Sequence, residues 1–236
     1  MSQLIVSNQL ESATDAHLTV TKGDGVHEVA RQWNISNVPE TFLELRELYL
    51  EEVGLSRSKT HSVEFKSGKE PAFYVHGGDI LGPIVGQVSL IGNGPQTEIV
   101  FPVGGNLKIE DVDLNTTRVP VTFLAGGVSR TFYWSKTDDY EHEHKAKSQV
   151  GDLELVDKSG KVHAVFLNEL AGSKSKRKAR IGQFDVLEYG VEDHLIDQWI
   201  VTLLDLIERY VLVSSHKLGK FATAKAAAAA AFHVGS

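Results

Sequence analysis

Cysteine is absent from the chain. No disulfide, thiolate metal ligand or cysteine nucleophile is therefore available. The start, "MSQLIVSNQLESATDAH", lacks the basic end and the long apolar stretch of a secretory signal. A soluble protein, intracellular and cytoplasmic, is the expectation. The sequons at Asn34 and Asn115 then carry no meaning, because glycosylation requires secretion. A basic surplus is also missing. The net charge is −7, a field that repels phosphate backbones, so nucleic acid is not an expected partner. No nucleophile elbow is present. The glycine-rich pieces "GGDILGP" and "GNGPQ" lack the spacing and the following Lys-Ser/Thr of a phosphate loop, and read as turns. No cofactor is implied by any motif.

The residues that are present describe a β-rich domain. Hydrophobic residues make up 42% and charged residues 23% of 236 positions, enough for a sizeable core. "HLTVT" reads as a first strand after a loose polar leader, residues 1–16. "PETFLELRELYLEEV" (Pro39–Val53) is rich in helix formers, with Phe42, Leu45, Tyr49 and Val53 at three- and four-residue steps. It predicts a helix, two strands being the alternative. From His61 onward come short β-branched and aromatic runs separated by Gly, Pro and Asn: "HSVEF", "AFYVH", "IVGQVSLI", "TEIVF", "RVPVTFL", "SRTFYW", "DLELV", "KVHAVFL", "ARIGQF" and "DVLEY". Hairpin turns are expected at Ala125–Val128 and Asp157–Gly160. Strands so numerous and closely spaced predict a barrel or sandwich rather than a βαβ fold.

The chain also echoes itself. "VEFKSGKEPAFYV" (Val63–Val75) resembles "LVDKSGKVHAVF" (Leu155–Phe166), and "IVGQVSL" (Ile84–Leu90) resembles "RIGQFDVL" (Arg180–Leu187). The offsets are 92 (Lys66 to Lys158) and 96 (Gly86 to Gly182). Coincidence of turn chemistry is one explanation, and two similar halves of one barrel are the other.

"DHLIDQWIVTLLDLIERYVLV" (Asp193–Val213) reads as a helix. On a helical wheel, ten apolar residues from Leu195 to Val211 fill one arc of about 180°, where a surface helix needs a stripe of ~100°. Asp205 and Arg209 are spaced to pair. The longest stretch without a charge before Asp205 is Gln198–Leu204, too short to cross a bilayer. A sheet closing around the helix would bury it and hide the sheet edges together. A helix on one open face of a sandwich is the competing arrangement.

About a dozen strands closed by one strongly apolar helix resemble the tubby C-terminal-like superfamily, which includes the tubby proteins, the phospholipid scramblases and the LURP-one-related proteins. The resemblance rests on "GPIVGQVSLI" (Gly82–Ile91), "RTFYW" (Arg130–Trp134), "LELVDKSGKVHAVF" (Leu153–Phe166) and the helix, and covers roughly His61–Val213. In texture the chain is closest to fungal members of that superfamily with no assigned function. The resemblance implies a mainly β fold, a roughly 12-stranded closed barrel around the helix Glu192–Val213, in a single domain 17–213. The Ala-rich tail 214–236 falls outside it, and Gly23–Lys59 has no matching part.

Two stretches carry candidate chemistry. "DDYEHEHKAK" (Asp138–Lys147) places His142 and His144 two apart among carboxylates, a donor set suited to a transition metal. A cupin has such a pair, but it is followed about four residues later by a Glu, where this chain has Lys147, Ser148 and Gln149. A metal-dependent β-barrel enzyme through this pair is the alternative function. "SKSKRKAR" carries Lys174, Lys176, Arg177, Lys178 and Arg180, and a compact basic loop suits anionic lipid head groups. His163 is expected on the outer face of its strand, and His194 in the first turn of the terminal helix. The expected function is therefore a non-catalytic module of the tubby-like kind that binds a phospholipid or a protein partner through its outer surface. Scramblase-like transport lacks a membrane span or a cysteine for lipid attachment.

Overall fold

The computed structural model describes residues 19–22, 25–38, 45–52, 59–66, 72–90, 96–103, 105–109, 118–125, 128–140, 150–169 and 180–210. They form β1 (Thr19–Lys22), β2 (Gly25–Glu28), β3 (Arg31–Val38), β4 (Leu45–Glu52), β5 (Lys59–Lys66), β6 (Ala72–Gly77) and β7 (Ile84–Leu90). Then follow β8 (Thr97–Phe101), β9 (Gly105–Ile109), β10 (Arg118–Ala125), β11 (Val128–Thr137), β12 (Asp152–Asp157), β13 (Val162–Asn168) and β14 (Arg180–Val186). One helix, α1, spans 193–210. The fold is mainly β with one helix, as expected.

β1 and β2 form a separate hairpin, and the other strands form one twelve-stranded sheet in the order β10-β11-β12-β13-β14-β3-β4-β5-β6-β7-β8-β9. Every neighbouring pair is antiparallel. Chain order is thus sheet order, except that β14 returns to pair with β3. The closed barrel is met only in part. The sheet's two end strands, β9 and β10, approach each other, but among the described residues no ladder joins them.

α1 lies inside the curl of this sheet. From Leu195 to Tyr210 every residue is buried except Asp197 and Glu208, which are half-buried. Its neighbours include strands near both ends of the sheet order. Gly86 of β7 sits against Val201, Trp134 of β11 hydrogen-bonds Thr202, and Thr97 of β8 hydrogen-bonds Asp205. Phe132 of β11 packs edge-on to Trp199. A helix on one face of a sandwich would leave one of its sides wet, and none is.

Four polar residues of the helix, Gln198, Thr202, Asp205 and Arg209, are as buried as its apolar arc, and they are bonded at different heights. Gln198 donates to the Val103 carbonyl at 3.0 Å. Thr202 accepts from the Trp134 indole at 3.1 Å and donates to the Trp199 carbonyl at 3.0 Å. Asp205 accepts from Thr97 at 3.2 Å and pairs with Arg209 at 2.7 Å, the i,i+4 pair that the spacing predicts. Burial pushes the Asp205 carboxyl up to about 6, although the Arg209 charge and the Thr97 hydroxyl act against it.

The helix expected over Pro39–Val53 is a correction. Leu45–Glu52 is the strand β4, paired along its length with β3 on one side and β5 on the other. Good helix formers yield here because the two ladders satisfy the backbone of β4 on both edges and seat Leu50 fully in the core. Pro39–Phe42 lie outside the described residues. "ARIGQF" and "DVLEY", read as two runs, belong to the one strand β14 as far as Val186.

A second small core lies outside the sheet. Val20, Val29 and Tyr140 cover Val165 and Leu167 on the outer face of β13. Ala164 and Phe166 point the other way, into the main core. Burial on both faces explains why β13 is apolar almost throughout.

The echoed segments fall on matching places. β3–β7 and β10–β14 are two five-stranded meanders joined at β14–β3, and the echoes occupy the third, fourth and fifth strands of each. In both fifth strands the ladder skips the residue before the glycine: Val85 opposite β6 and Ile181 opposite β3. Both glycines are there for close approach. A Cβ on Gly86 would meet Val201 Cγ2 at 2.5 Å, and one on Gly182 would meet the Phe166 ring at 2.4 Å.

Two outcomes follow. Gly86→Ala costs about 1–3 kcal/mol by overpacking, and Val201→Ala relieves it. In chemical denaturation the double variant loses less than the two single losses added, by on the order of 1 kcal/mol. The raised Asp205 carboxyl sets a pH dependence. Its folded pKa lies above the ordinary value of 3.8, so its contribution is full below about pH 4 and is lost as the pH rises to about 6. The stability of the native protein minus that of Asp205→Asn therefore shrinks between those limits in urea titrations.

Candidate functional site

One end of the sheet is defined by the start of α1. The ends of β6, β8, β10, β12 and β14 and the starts of β7, β9, β11 and β13 meet there, because all ladders are antiparallel. A cavity of about 290 Å³ opens at this mouth, and Phe132, Leu195 and Trp199 line it together with Arg130, His163, Glu188 and Glu192. A second cavity, about 270 Å³, flanks the other side of the helix start, beside Trp33, His61 and Asp197.

The β12–β13 hairpin builds the polar wall of the first cavity. Asp157 Oδ1 accepts from the backbone N–H of Ser159 at 2.8 Å, from the Ser159 hydroxyl at 2.6 Å and from the Lys161 N–H at 3.0 Å. Gly160, at φ 88°, supplies the left-handed residue of the turn. The Ser159 hydroxyl in particular holds the Asp157 carboxyl below the usual carboxylate range, with His163 and the two backbone donors adding to it. From Asp157 the chain returns into β13, and the β12–β13 ladder skips His163. A bulge puts two successive side chains on the same face.

That bulge corrects the expected place of His163. It does not face outward. It is buried, with its ring 5.1 Å from Phe132 and 6.2 Å from Trp199. Nε2 lies 3.3 Å from Asp157 Oδ2, and Nδ1 bonds to Glu188 Oε2. Lys161 Nζ reaches the other Glu188 oxygen at 3.2 Å. Partial burial opposes the charge on Glu188, but the hydrogen bonds and charges of His163 and Lys161 prevail and lower its pKa. Every polar member of this wall is engaged by its neighbours, so the cluster is a fixed scaffold beside the cavity.

Arg130 is different. It stands at the exposed start of β11, where Val128, Ser129 and Arg130 are all exposed. Its side chain forms no hydrogen bond or ion pair among the described residues, yet it lines the cavity. The site thus combines an aromatic floor, a hydrogen-bonded His–carboxylate wall and one cation that makes no ion pair among the described residues.

Lys174, Lys176, Arg177 and Lys178 lie outside the described residues, as do His142 and His144. Arg180 opens β14, where its backbone pairs with Ser36. His194 does fall in the first turn of α1, 3.2 Å from Glu192. Among the described residues no group of three or more His, Asp or Glu could hold a metal ion, and no helix is long and apolar enough to cross a membrane.

No family model, curated protein or solved structure matches this chain.

The site residues were hidden for a local reason. The outward place expected for His163 does not survive, because the bulge in β13 changes the face of its side chain. The available signal was "DKSGK", whose Asp and Gly mark a tight hairpin of the kind that bulges accompany.

Glu188 provides a pH test. Its lowered pKa means that its contribution is full above the ordinary value of 4.5 and is lost as the pH falls further. The stability difference between the native protein and Glu188→Gln therefore holds steady down to about pH 4.5. It closes below, the opposite direction from Asp205.

Proposed function

We propose that this chain is a non-catalytic binding module built on a tubby-like barrel, and that its ligand is a phospholipid head group. The fold part of the proposal has two supports. Among the described residues the twelve-stranded sheet is open at the seam between β9 and β10, consecutive strands that approach each other, so one further ladder would complete a twelve-stranded barrel. The echoed segments occupy equivalent strands of two meanders, as two similar halves would.

The observation that carries the ligand is Arg130. A guanidinium with no ion pair among the described residues, beside an open cavity, suits a phosphate, which it can hold by paired charge-assisted hydrogen bonds. The apolar floor of Phe132, Leu195 and Trp199 suits the glycerol and first methylenes of a lipid. Binding without reaction agrees with the wall, whose His and carboxylates are committed to one another. The basic residues Lys174, Lys176, Arg177, Lys178 and Arg180 are a second lipid contact in this proposal.

Trp199 lines the cavity, so its fluorescence reports occupancy. Titration with a water-soluble glycerophosphodiester saturates in the native protein. Arg130→Glu weakens binding at least about tenfold, since a charge-assisted hydrogen bond is worth about 1.5–3 kcal/mol. Charge reversal at Lys174, Lys176, Arg177 and Lys178 leaves that titration unchanged. The reverse outcome, loss with the four-fold reversal and none with Arg130→Glu, moves the head-group seat to the basic segment.

A further inference from the structure

The large hydrophobic side chains that stand exposed among the described residues are Leu81, Ile84, Val103, Val128 and Tyr189. They come from four separate connections: β6–β7, β8–β9, the start of β11, and β14–α1. The antiparallel ladders bring all four to the same end of the sheet, the one where the Arg130 cavity opens. The exposed apolar groups of the described structure are thus gathered on one rim.

They are held out rather than left loose. Leu81 is 91% exposed, yet its loop is closed by Gly77 N–H to the Pro83 carbonyl at 2.8 Å and Gly82 N–H to the Asp79 carbonyl at 2.9 Å. The Leu81 N–H itself donates to Asp79 Oδ1 at 2.9 Å. The turn bearing Val103 is tied to the helix through Gln198. Tyr189 donates its hydroxyl to Glu28 at 2.7 Å and leaves its ring in solvent.

We infer that this rim docks on a phospholipid bilayer of low net charge, with Leu81 and Val103 entering the acyl boundary and Tyr189 lying at head-group level. A protein surface would have to pack against all the tips at once, at about 800 Å² per partner, whereas these tips are separated by open cavities. A fluid interface closes around separated tips, and tyrosine is favoured at its polar boundary. Charge sets the lipid. Arg31, Arg130, Lys158 and Lys161 stand on the rim among Asp79, Glu188, Glu192 and Asp193, and two of these cations are already paired, Arg31 with Asp193 and Lys161 with Glu188. Such a mixed rim, on a chain of net charge −7, complements zwitterionic head groups and not an anionic surface. The proposal rests on the head-group reading, and adds the bilayer and the side chains that enter it.

The test is flotation of the whole chain with pure phosphatidylcholine vesicles, using Leu81→Asp, Val103→Asp and the double variant. Both positions are exposed, so the variants fold, as circular dichroism checks. The native protein floats, and raising the salt changes this little because insertion is apolar. Each aspartate lowers vesicle partitioning at least about tenfold, and the double variant stays in solution. All three variants still bind the soluble glycerophosphodiester. Flotation of the double variant like the native protein overturns the proposal. So does a native protein that ignores these vesicles while binding the soluble head group, and then the cavity assignment survives alone. Flotation that needs anionic lipid and is lost on reversal at residues 174–178 also overturns it. A Leu81-dependent dimer in sedimentation without lipid overturns it in favour of a second copy. Loss of flotation in the double variant, with no soluble head-group binding in any form, upholds the rim and ends the cavity assignment.

Discussion

Burial of one helix on all its faces is the constraint that the rest of this structure answers to. An amphipathic helix can lie on a sheet, but a helix with an apolar arc of about half its circumference cannot do so without leaving large side chains in water. A single sheet curling around α1 removes that exposure, and twelve strands supply the circumference. The close approach then selects details such as the glycine at position 86, where the helix side chain Val201 occupies the space a Cβ would need.

The same enclosure makes the polar residues of α1 consequential. Asp205 and Arg209 give up water on both sides, and a buried ion pair is weak evidence of net stability. It does discriminate, because rotating or sliding the helix would strand two charges among apolar strands. Gln198 on the Val103 carbonyl and Thr202 on the Trp134 indole act in the same sense at other heights. The apolar arc drives the helix inside, and the polar stripe selects its rotation and depth.

The parts of this fold legible in the sequence were those set by local pattern over many residues. The wide arc of α1 and the i,i+4 spacing of Asp205 and Arg209 both survive in three dimensions. β4 was illegible because "LRELYLEE" carries helix-forming side chains, and only pairing with β3 and β5 on both edges outweighs them. His163 was illegible because one extra residue in β13 reverses the face of its side chain. Arg130 offers no pattern in the sequence, since its place beside the cavity, with no ion pair among the described residues, is a fact of three dimensions. The basic segment and the His pair are the most conspicuous stretches of chemistry in the sequence, and apart from the first residue of β14 they lie outside the described residues.

With α1 filling the inside of the curled sheet, no central room is left there for a ligand, and the ends of the sheet become the places where chemistry can happen. At the end where α1 begins, the cavity, the free guanidinium and the apolar rim coincide. The central claim is that α1 is enclosed and cannot be exposed without dismantling the sheet. Native-state hydrogen exchange on the amides of Ile200–Leu206 tests it most directly. Enclosure predicts that these amides exchange only through global unfolding, with the free energy and denaturant dependence of the whole domain. Exchange through a smaller opening, at a free energy well below that of global unfolding and with little denaturant dependence, would contradict it.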